Sequence, residues 1–575
     1  MTADGARTIV EPASEAPPAL APPPADGVRV IPLGGLGEIG MNMTLVETQE
    51  DLLVVDAGLM FPEEEMLGID LVIPDTSALL ARRERVRGIV LTHGHEDHTG
   101  ALPFLLRALP APVFGTTLTL GLASERLREA GLLPGADLRR VRAGEVLSLG
   151  QLQVEFIRVA HSIPDGVGLA LHTPAGLVVH TGDFKFDPTP VDGQATDYGR
   201  FAALGDAGVQ LLLSDSTNAV REGLTPSERV AGTALARVLA EARRRVIVAC
   251  FASNLHRLQQ ILDAAARLGR RVAFNGKSML ANVRVASELG ALQLPPGVVV
   301  ELPELRRLPP ERGVIVTTGS QGEPLSALAR MAVGEHKQIE IQPGDVVVFS
   351  ARVIPGNEKS IAHTINQLLR RGAEVITEEV APVHVSGHAS REELKLMLHL
   401  TRPRFLAPIH GEYRHLHQHA RLAAGMGWPA ERIVVLENGD ALDVTPGLAK
   451  VVGRVTAGRV FVDGKGVGDV GEAVLRDRHH LAQDGLVLVV VAFDRRTGGV
   501  LAGPEIASRG FTLPEEASGL FEEARRLVLT VLEGCSAEEK GEWPLIKQRI
   551  RSVLKRFIRK AVDRRPMILP VIMEV

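Results

Sequence analysis

The chain has 575 residues, too many for one hydrophobic core, and at roughly 150 residues per domain it divides into about three or four units. Hydrophobic residues at 45% and charged residues at 23% describe a soluble globular protein, and a net charge of −5 excludes a polycation. Aromatics at 3% argue against base reading on a Tyr/Trp platform, and two cysteines exclude a disulfide scaffold or a cysteine-built zinc module.

Residues 1–27 are rich in Ala and Pro and lack the basic start and apolar centre of a signal peptide, so they read as a disordered tail. From Val28 onward, short β-branched runs closed by Gly, Asp or His predict strands at Val28–Leu33, Met43–Glu47, Leu52–Asp56, Gly88–Thr92 and Pro112–Gly115. Gln153–Val159, a hairpin of Gly168–His172 with Leu177–Thr181, and Val209–Asp215 continue the series. After Arg221 the rhythm changes to strand–helix alternation. Arg245–Phe251 precedes a helix over Leu255–Leu268, Val314–Thr318 one near Leu325–Val333, and Val346–Ser350 one over Lys359–Arg371. This is the pattern of a doubly wound parallel sheet.

Strands at Phe405–Ile409 and Ile433–Glu437 resume the earlier style, and a Gly- and Val-rich stretch over 448–470 reads as a linker. A strand at Leu486–Phe493 and helices near Pro514–Leu532 and Pro544–Val562 then predict a small α+β domain over 471–575. The longest apolar run, Leu486–Phe493, is far short of a membrane span, so the expected location is cytoplasmic with no membrane partner.

The sharpest local signal is His93-Gly94-His95-Glu96-Asp97-His98, directly after a predicted strand. Imidazole and carboxylate without thiolate suit Zn²⁺, Mn²⁺ or Fe at an open, catalytic site. Asp56, His161 and Asp183 stand at other strand ends. Each alone reads more often as a turn or cap residue; their shared placement favours a metal centre.

A strand-end Asp, an H-x-H-x-D-H loop, then a lone His and a lone Asp resemble the metallo-β-lactamase fold. That resemblance implies an αββα sandwich binding two metals roughly 3.5–4 Å apart. His93, His95 and His161 would hold one metal, Asp97 and His98 the other, and Asp183 would bridge them. Asp56 would orient the histidine loop without ligating. Asp215 in Ser214–Asn218, His388 in Ser386–Ser390 and His410 in Pro408–Glu412 are similar to the three further motifs of the β-CASP nucleases. His410 would complete the second metal's ligands, and Asp97, Asp215 and His388 would serve catalysis.

Within that group the opening Pro32–Asn42, the segment Phe251–Asn254, His384–Ser390 and the extra C-terminal domain resemble bacterial ribonuclease J. The resemblance implies a sandwich in two parts, 28–220 and 376–447, with a β-CASP insert over 221–375. It also implies endonuclease and 5′→3′ exonuclease activity on single-stranded RNA with a preference for a 5′-monophosphate end, in RNA maturation and decay. Two divalent ions are expected, Zn²⁺ bound and Mn²⁺ activating. A homodimer or homotetramer through the C-terminal domain and contacts with other RNA-decay proteins are the implied assemblies.

Ser253, Asn254 and Leu255 are implied substrate contacts, as are His384, Val385, Ser386, Gly387, His388 and Ser390. Ser386–Ser390 precedes a helix, and its small residues suit a 5′-phosphate pocket. Ser390 with Glu393 reads equally as a capping box. His415, His417 and His419 read as a solvated helix face. The final helix, residues 546–565, carries nine Lys or Arg against one acid and reads as an RNA contact, a subunit contact or a solvated face.

Overall fold

The computed structural model describes residues 20–575 except 64, 324, 355, 465, 495–498, 512–513 and 536–542. It divides into two units, 20–61 with 72–460, and 62–71 with 461–575. The tail reading for residues 1–19 lies outside the described residues. For residues 20–27 it is corrected. The Arg29 guanidinium donates to the Ala21 carbonyl at 2.6 Å, Gln49 donates to the Pro23 carbonyl at 3.1 Å, and Leu20 packs against the core.

In the first unit an eight-stranded and a six-stranded sheet lie face to face. Strict alternation makes the sandwich: Val28, Val30, Val46 and Leu53 point inward to meet Val154, Phe156, Leu169 and Leu211 of the other sheet. The intervening residues Ile31, Leu45 and Val54 point outward and pack under helix residues Leu102, Leu105 and Leu127. Ala170, Val179 and Leu212 do the same under Phe201, Leu394 and Leu398. The result is the expected αββα sandwich.

The chain leaves this sandwich after Val209–Asp215 and returns to it as Phe405–Ile409, which pairs parallel beside the strand it left, with Asp215 opposite Ile409. Between them stands a five-stranded, wholly parallel sheet containing Val246–Ala249, Gly313–Thr317 and Val346–Phe349, with an apolar core on each face. Its strands are buried on both sides, hence their unbroken β-branched runs. The insertion point thereby sets Asp215 beside His410.

Two readings are corrected. Ile433–Glu437 forms no strand; only Ile433 bridges Leu406, and Val434, Val435 and Leu436 are apolar because they pack into the inter-sheet core. The stretch from 448 is no linker at its start. Leu448–Arg454 ladders with Asp440–Thr445, across a two-residue Pro446-Gly447 turn in which Gly447 takes φ +92°.

The second unit contains a three-stranded sheet of Val500–Arg509, Leu486–Phe493 and Met567–Glu574. Helices Pro514–Glu533 and Trp543–Val562 bury Val528, Leu532, Ile546, Ile550 and Leu554 in the core they share with that sheet. It is the expected α+β domain.

Candidate metal centre

Six strand ends converge at one edge of the sandwich. His93 Nε2 lies 3.0 Å from His95 Nδ1, which lies 3.1 Å from His161 Nε2. Asp183 Oδ2 stands 3.6 Å from His93 Nε2 and 3.7 Å from His161 Nε2. The same oxygen is 3.3 Å from His98 Nε2 and 3.5 Å from His410 Nε2, while Asp97 Oδ2 lies 3.7 and 3.4 Å from those two nitrogens. Two ligand sets therefore share one carboxylate. A tetrahedral Zn²⁺ with bonds of about 2.0–2.1 Å would separate its ligands by about 3.3–3.4 Å, close to these spacings.

The electrostatics fit cations. Burial holds His93 and His161 well below the usual imidazole range and brings His95 to about 4, so three neutral imidazoles turn nitrogens toward one another. In the second set burial again opposes charge, but Asp183 and Asp97 outweigh it and lift His98 well up and His410 to about 9. Burial would raise Asp97 and Asp183, yet His98 and His410 hold both below the usual carboxylate range. His410 Nε2 is buried without a hydrogen-bond partner, an unmet need that a cation would answer.

Among the described residues, Asp56 belongs to none of the groups that could hold an ion. Its carboxylate receives the Thr92 amide at 2.7 Å and the Thr92 hydroxyl at 2.8 Å, and pairs with His98 Nδ1 at 2.7 Å. That leaves His98 Nε2 to face Asp183. Asp56 and His410 both sit in the left-handed region, φ +63° and +55°, which turns each side chain off its strand toward the site.

His388 Nδ1 pairs with Asp215 Oδ2 at 2.8 Å and lies 3.8 Å from Asp183. Burial opposes its protonation, but Asp215 and Asp183 outweigh it and raise its pKa. Asp215 Oδ1 in turn accepts the Thr217 amide at 3.0 Å and hydroxyl at 2.8 Å, and Thr217 Oγ1 reaches His410 Nδ1 at 2.6 Å. The segment carrying His388 also supports the first ligand set, since the Gly387 carbonyl lies 2.7 Å from His161 Nδ1.

Among the implied substrate contacts, Ser386 Oγ accepts from Asn218 Nδ2 at 2.8 Å and from the His388 amide at 3.2 Å. Ser390 Oγ bonds Thr225 Oγ1 at 2.8 Å and the Glu393 carboxylate takes the Ser390 amide at 2.8 Å, so the capping box forms. Asn254 caps its helix by accepting the Arg257 amide at 3.1 Å, and Ser253 is half-buried beside it. The Leu255 and Val385 side chains are both buried, Leu255 in the apolar core of the insert, so a substrate contact by either would be made through its backbone. His384 has a buried Nδ1 without a hydrogen-bond partner, and burial, then Arg257, Arg221 and Arg352, hold it well below the usual imidazole range.

His415 and His419 are also corrected. Four residues apart, they share one buried face, with His419 Nδ1 at 3.0 Å from Ser216 Oγ; only His417 is exposed. Sequence reading missed Asn42, whose Nδ2 donates to the Asp97 carbonyl at 3.1 Å and lies 3.2 Å from His98 Nε2. It also missed Thr217 and Asn218, which sit in the same polar run as Asp215. Arg352, which donates to Asn218 Oδ1 at 3.0 Å, carries no local signal at all.

Four family models match in order: Metallo-beta-lactamase superfamily over 36–222, Ribonuclease J, beta-CASP domain over 243–368, Zn-dependent metallo-hydrolase RNA specificity domain over 372–432, and Ribonuclease J C-terminal domain over 473–575. Ribonuclease J2 of Bacillus subtilis (strain 168) is 44% identical over 96% of this chain and 99% of its own. Ribonuclease J 1 of Streptococcus pyogenes is 43% identical over 95% and 97%, and Ribonuclease J of Thermus thermophilus 44% over 96% of each. A crystal structure of a protein of unknown function from Enterococcus faecalis V583 aligns with a TM-score of 0.52 at 15% identity, over 74% of this chain and 100% of that one, a likeness of fold.

Proposed function

The chain belongs to the ribonuclease J family and is a metal-dependent ribonuclease, and on that premise we propose how its residues divide the work. His93, His95, His161 and Asp183 hold one divalent ion; Asp97, His98, Asp183 and His410 hold the other. The single observation that carries this reading is Asp183 Oδ2, within 3.3–3.7 Å of imidazole nitrogens from both sets. Zn²⁺ suits the donors by affinity, with Mn²⁺ as activator. When bound, the pair lowers the pKa of a water and neutralises charge on the phosphodiester.

The remaining steps belong to the chain itself. His388, with its pKa raised beside Asp215, donates a proton to the leaving oxygen. Asp215 positions that imidazole. Asp97, held ionised and about one-third exposed, accepts a proton from the attacking water. The His384–Ser390 segment receives a 5′-phosphate, drawn by the positive field of Arg221, Arg257 and Arg352 around His384. Cleavage of single-stranded RNA is then both endonucleolytic and 5′→3′, favouring a 5′-monophosphate end, in RNA maturation and decay. A cytoplasmic dimer or tetramer, assembled through 471–575, completes the proposal, with 28–220 and 376–447 as the catalytic sandwich and 221–375 as its insert.

The test compares 5′-monophosphate, 5′-triphosphate and 5′-hydroxyl RNA with matching DNA, for the wild type and His95→Ala. Monophosphate RNA is expected to be cut fastest and His95→Ala to be inactive. Equal rates on all substrates together with an active variant would overturn the assignment.

A further inference from the structure

The helix Trp543–Val562 buries Ile546, Ile550, Leu554 and Ile558 at i, i+4 spacing. Its opposite side, with the residues just beyond it, exposes Lys555, Arg556, Arg559, Lys560, Arg564 and Arg565. None of these six has an ion-pair partner among the described residues, whereas elsewhere in the same unit Arg525 pairs with Glu522 at 2.7 Å and Glu505 at 3.2 Å. Lys555 with Arg559, and Arg556 with Lys560, set like charges at i, i+4, an arrangement that destabilises a helix. The helix dipole accounts for cations only in the last turn, Arg559 and Lys560. Residues 546–565 carry +8 within a chain of net −5, so the remainder sums to −13.

We propose that this face binds the phosphate backbone of single-stranded RNA, as a contact additional to the catalytic sandwich. A symmetric contact between two copies through this face would set the same cations against each other. A polyanion matches it, and the enzyme's own substrate is one; to that extent the inference rests on the ribonuclease reading. Unpaired, exposed Arg and Lys are the groups that exchange condensed counterions for protein contacts. No aromatic platform is needed, so the contact carries no sequence preference.

The experiment uses the full chain with Lys555→Gln, Arg556→Gln, Arg559→Gln and Lys560→Gln combined, and polyuridylate as ligand. Affinity at about 100 mM salt should fall at least about tenfold, and the slope of log affinity against log salt should drop by about 1.4–2.8, for two to four phosphates released at about 0.7 each. A charge-conserving variant, Lys555→Arg with Lys560→Arg, should bind as the wild type. Cleavage of a 5′-monophosphorylated trinucleotide should be unchanged in every variant. Wild-type affinity and slope in the Gln variant would overturn the proposal. So would a smaller oligomer with undiminished polyuridylate binding, which would assign the face to a second copy. Failure of the wild type to cut the trinucleotide would instead count against the catalytic reading.

Discussion

His98 Nδ1 and Asp56 Oδ2 lie 2.7 Å apart, and the same carboxylate is pinned by the amide and hydroxyl of Thr92. One buried acid thus fixes both the ring orientation and the tautomer of the proposed metal ligand His98. Asp56→Asn tests this cleanly, because Asn tolerates the left-handed backbone there and is close in shape. Affinity for the cation at the Asp97–His98–His410 set is expected to fall about 10–100-fold, with little change in melting temperature. Chelator competition followed by metal analysis measures it; undiminished affinity would remove Asp56 from the site.

The two ligand sets should also differ in pH dependence. His410, raised to about 9, and His98, raised well above its ordinary value, carry protons at neutral pH in the metal-free protein, and a cation must expel them. Apparent affinity at that set should therefore fall as pH drops below about 9, by up to about tenfold per unit for each proton released. The set of His93, His95 and His161 is held neutral, with His95 at about 4, so its affinity should stay flat down to about pH 5. Calorimetry in two buffers of different ionisation enthalpy separates the cases. Equal proton release at both sets would contradict this electrostatic picture.

The cluster of candidate metal ligands was legible because its residues follow apolar strands, where a single polar residue stands out, and because four of them crowd into six positions. The insert was legible from its strand–helix alternation. What sequence could not show is how the two halves of the sandwich meet. Glu393 reads as the third residue of a capping box, yet its carboxylate also accepts the amides of Phe186 at 2.8 Å and Thr225 at 2.7 Å, tying three distant segments together. Asn42, Asn218 and Arg352 are ordinary polar residues until the fold brings them to His98, Ser386 and Asn218. The Ile433–Leu436 run failed as a strand because, beyond the single bridge of Ile433 to Leu406 on the edge strand, its residues are apolar for packing into the core, and burial alone produces the same pattern of residues.

Glu393→Ala should accordingly cost far more than a helix cap. A cap is worth about 1 kcal/mol, whereas stranding several buried amides costs about 1–3 kcal/mol each. A loss of about 3–5 kcal/mol in urea unfolding is expected, with metal content unchanged in whatever fraction stays folded. A loss near 1 kcal/mol would mean that the Phe186 and Thr225 contacts contribute nothing.

Gly387 has no room for a side chain. A Cβ there would stand 2.6 Å from His161 Cε1 and 2.9 Å from Ser162 Cβ. Gly387→Ala must therefore displace either the imidazole or the segment whose carbonyl orients it. Overpacking of this kind costs about 1–3 kcal/mol. The more telling readout is weaker metal binding at the His93–His95–His161 set with the other set retained. Full occupancy of both would show that the segment can retreat without disturbing His161.

Asp215 Oδ2 lies 2.8 Å from His388 Nδ1, so its effect should pass through that imidazole. A proton donor works only while protonated, so activity should decline as pH rises through the His388 pKa, which Asp215 raises more than any other neighbour. Asp215→Asn removes that charge and keeps an oxygen for the Thr217 hydroxyl. The alkaline limb of the kcat profile should then move to lower pH, making the variant's deficit larger at high pH than at low pH, while KM changes little. A deficit of the same size at every pH would point to disturbed packing around Thr217 and His410, and His388 would lose its role as the acid.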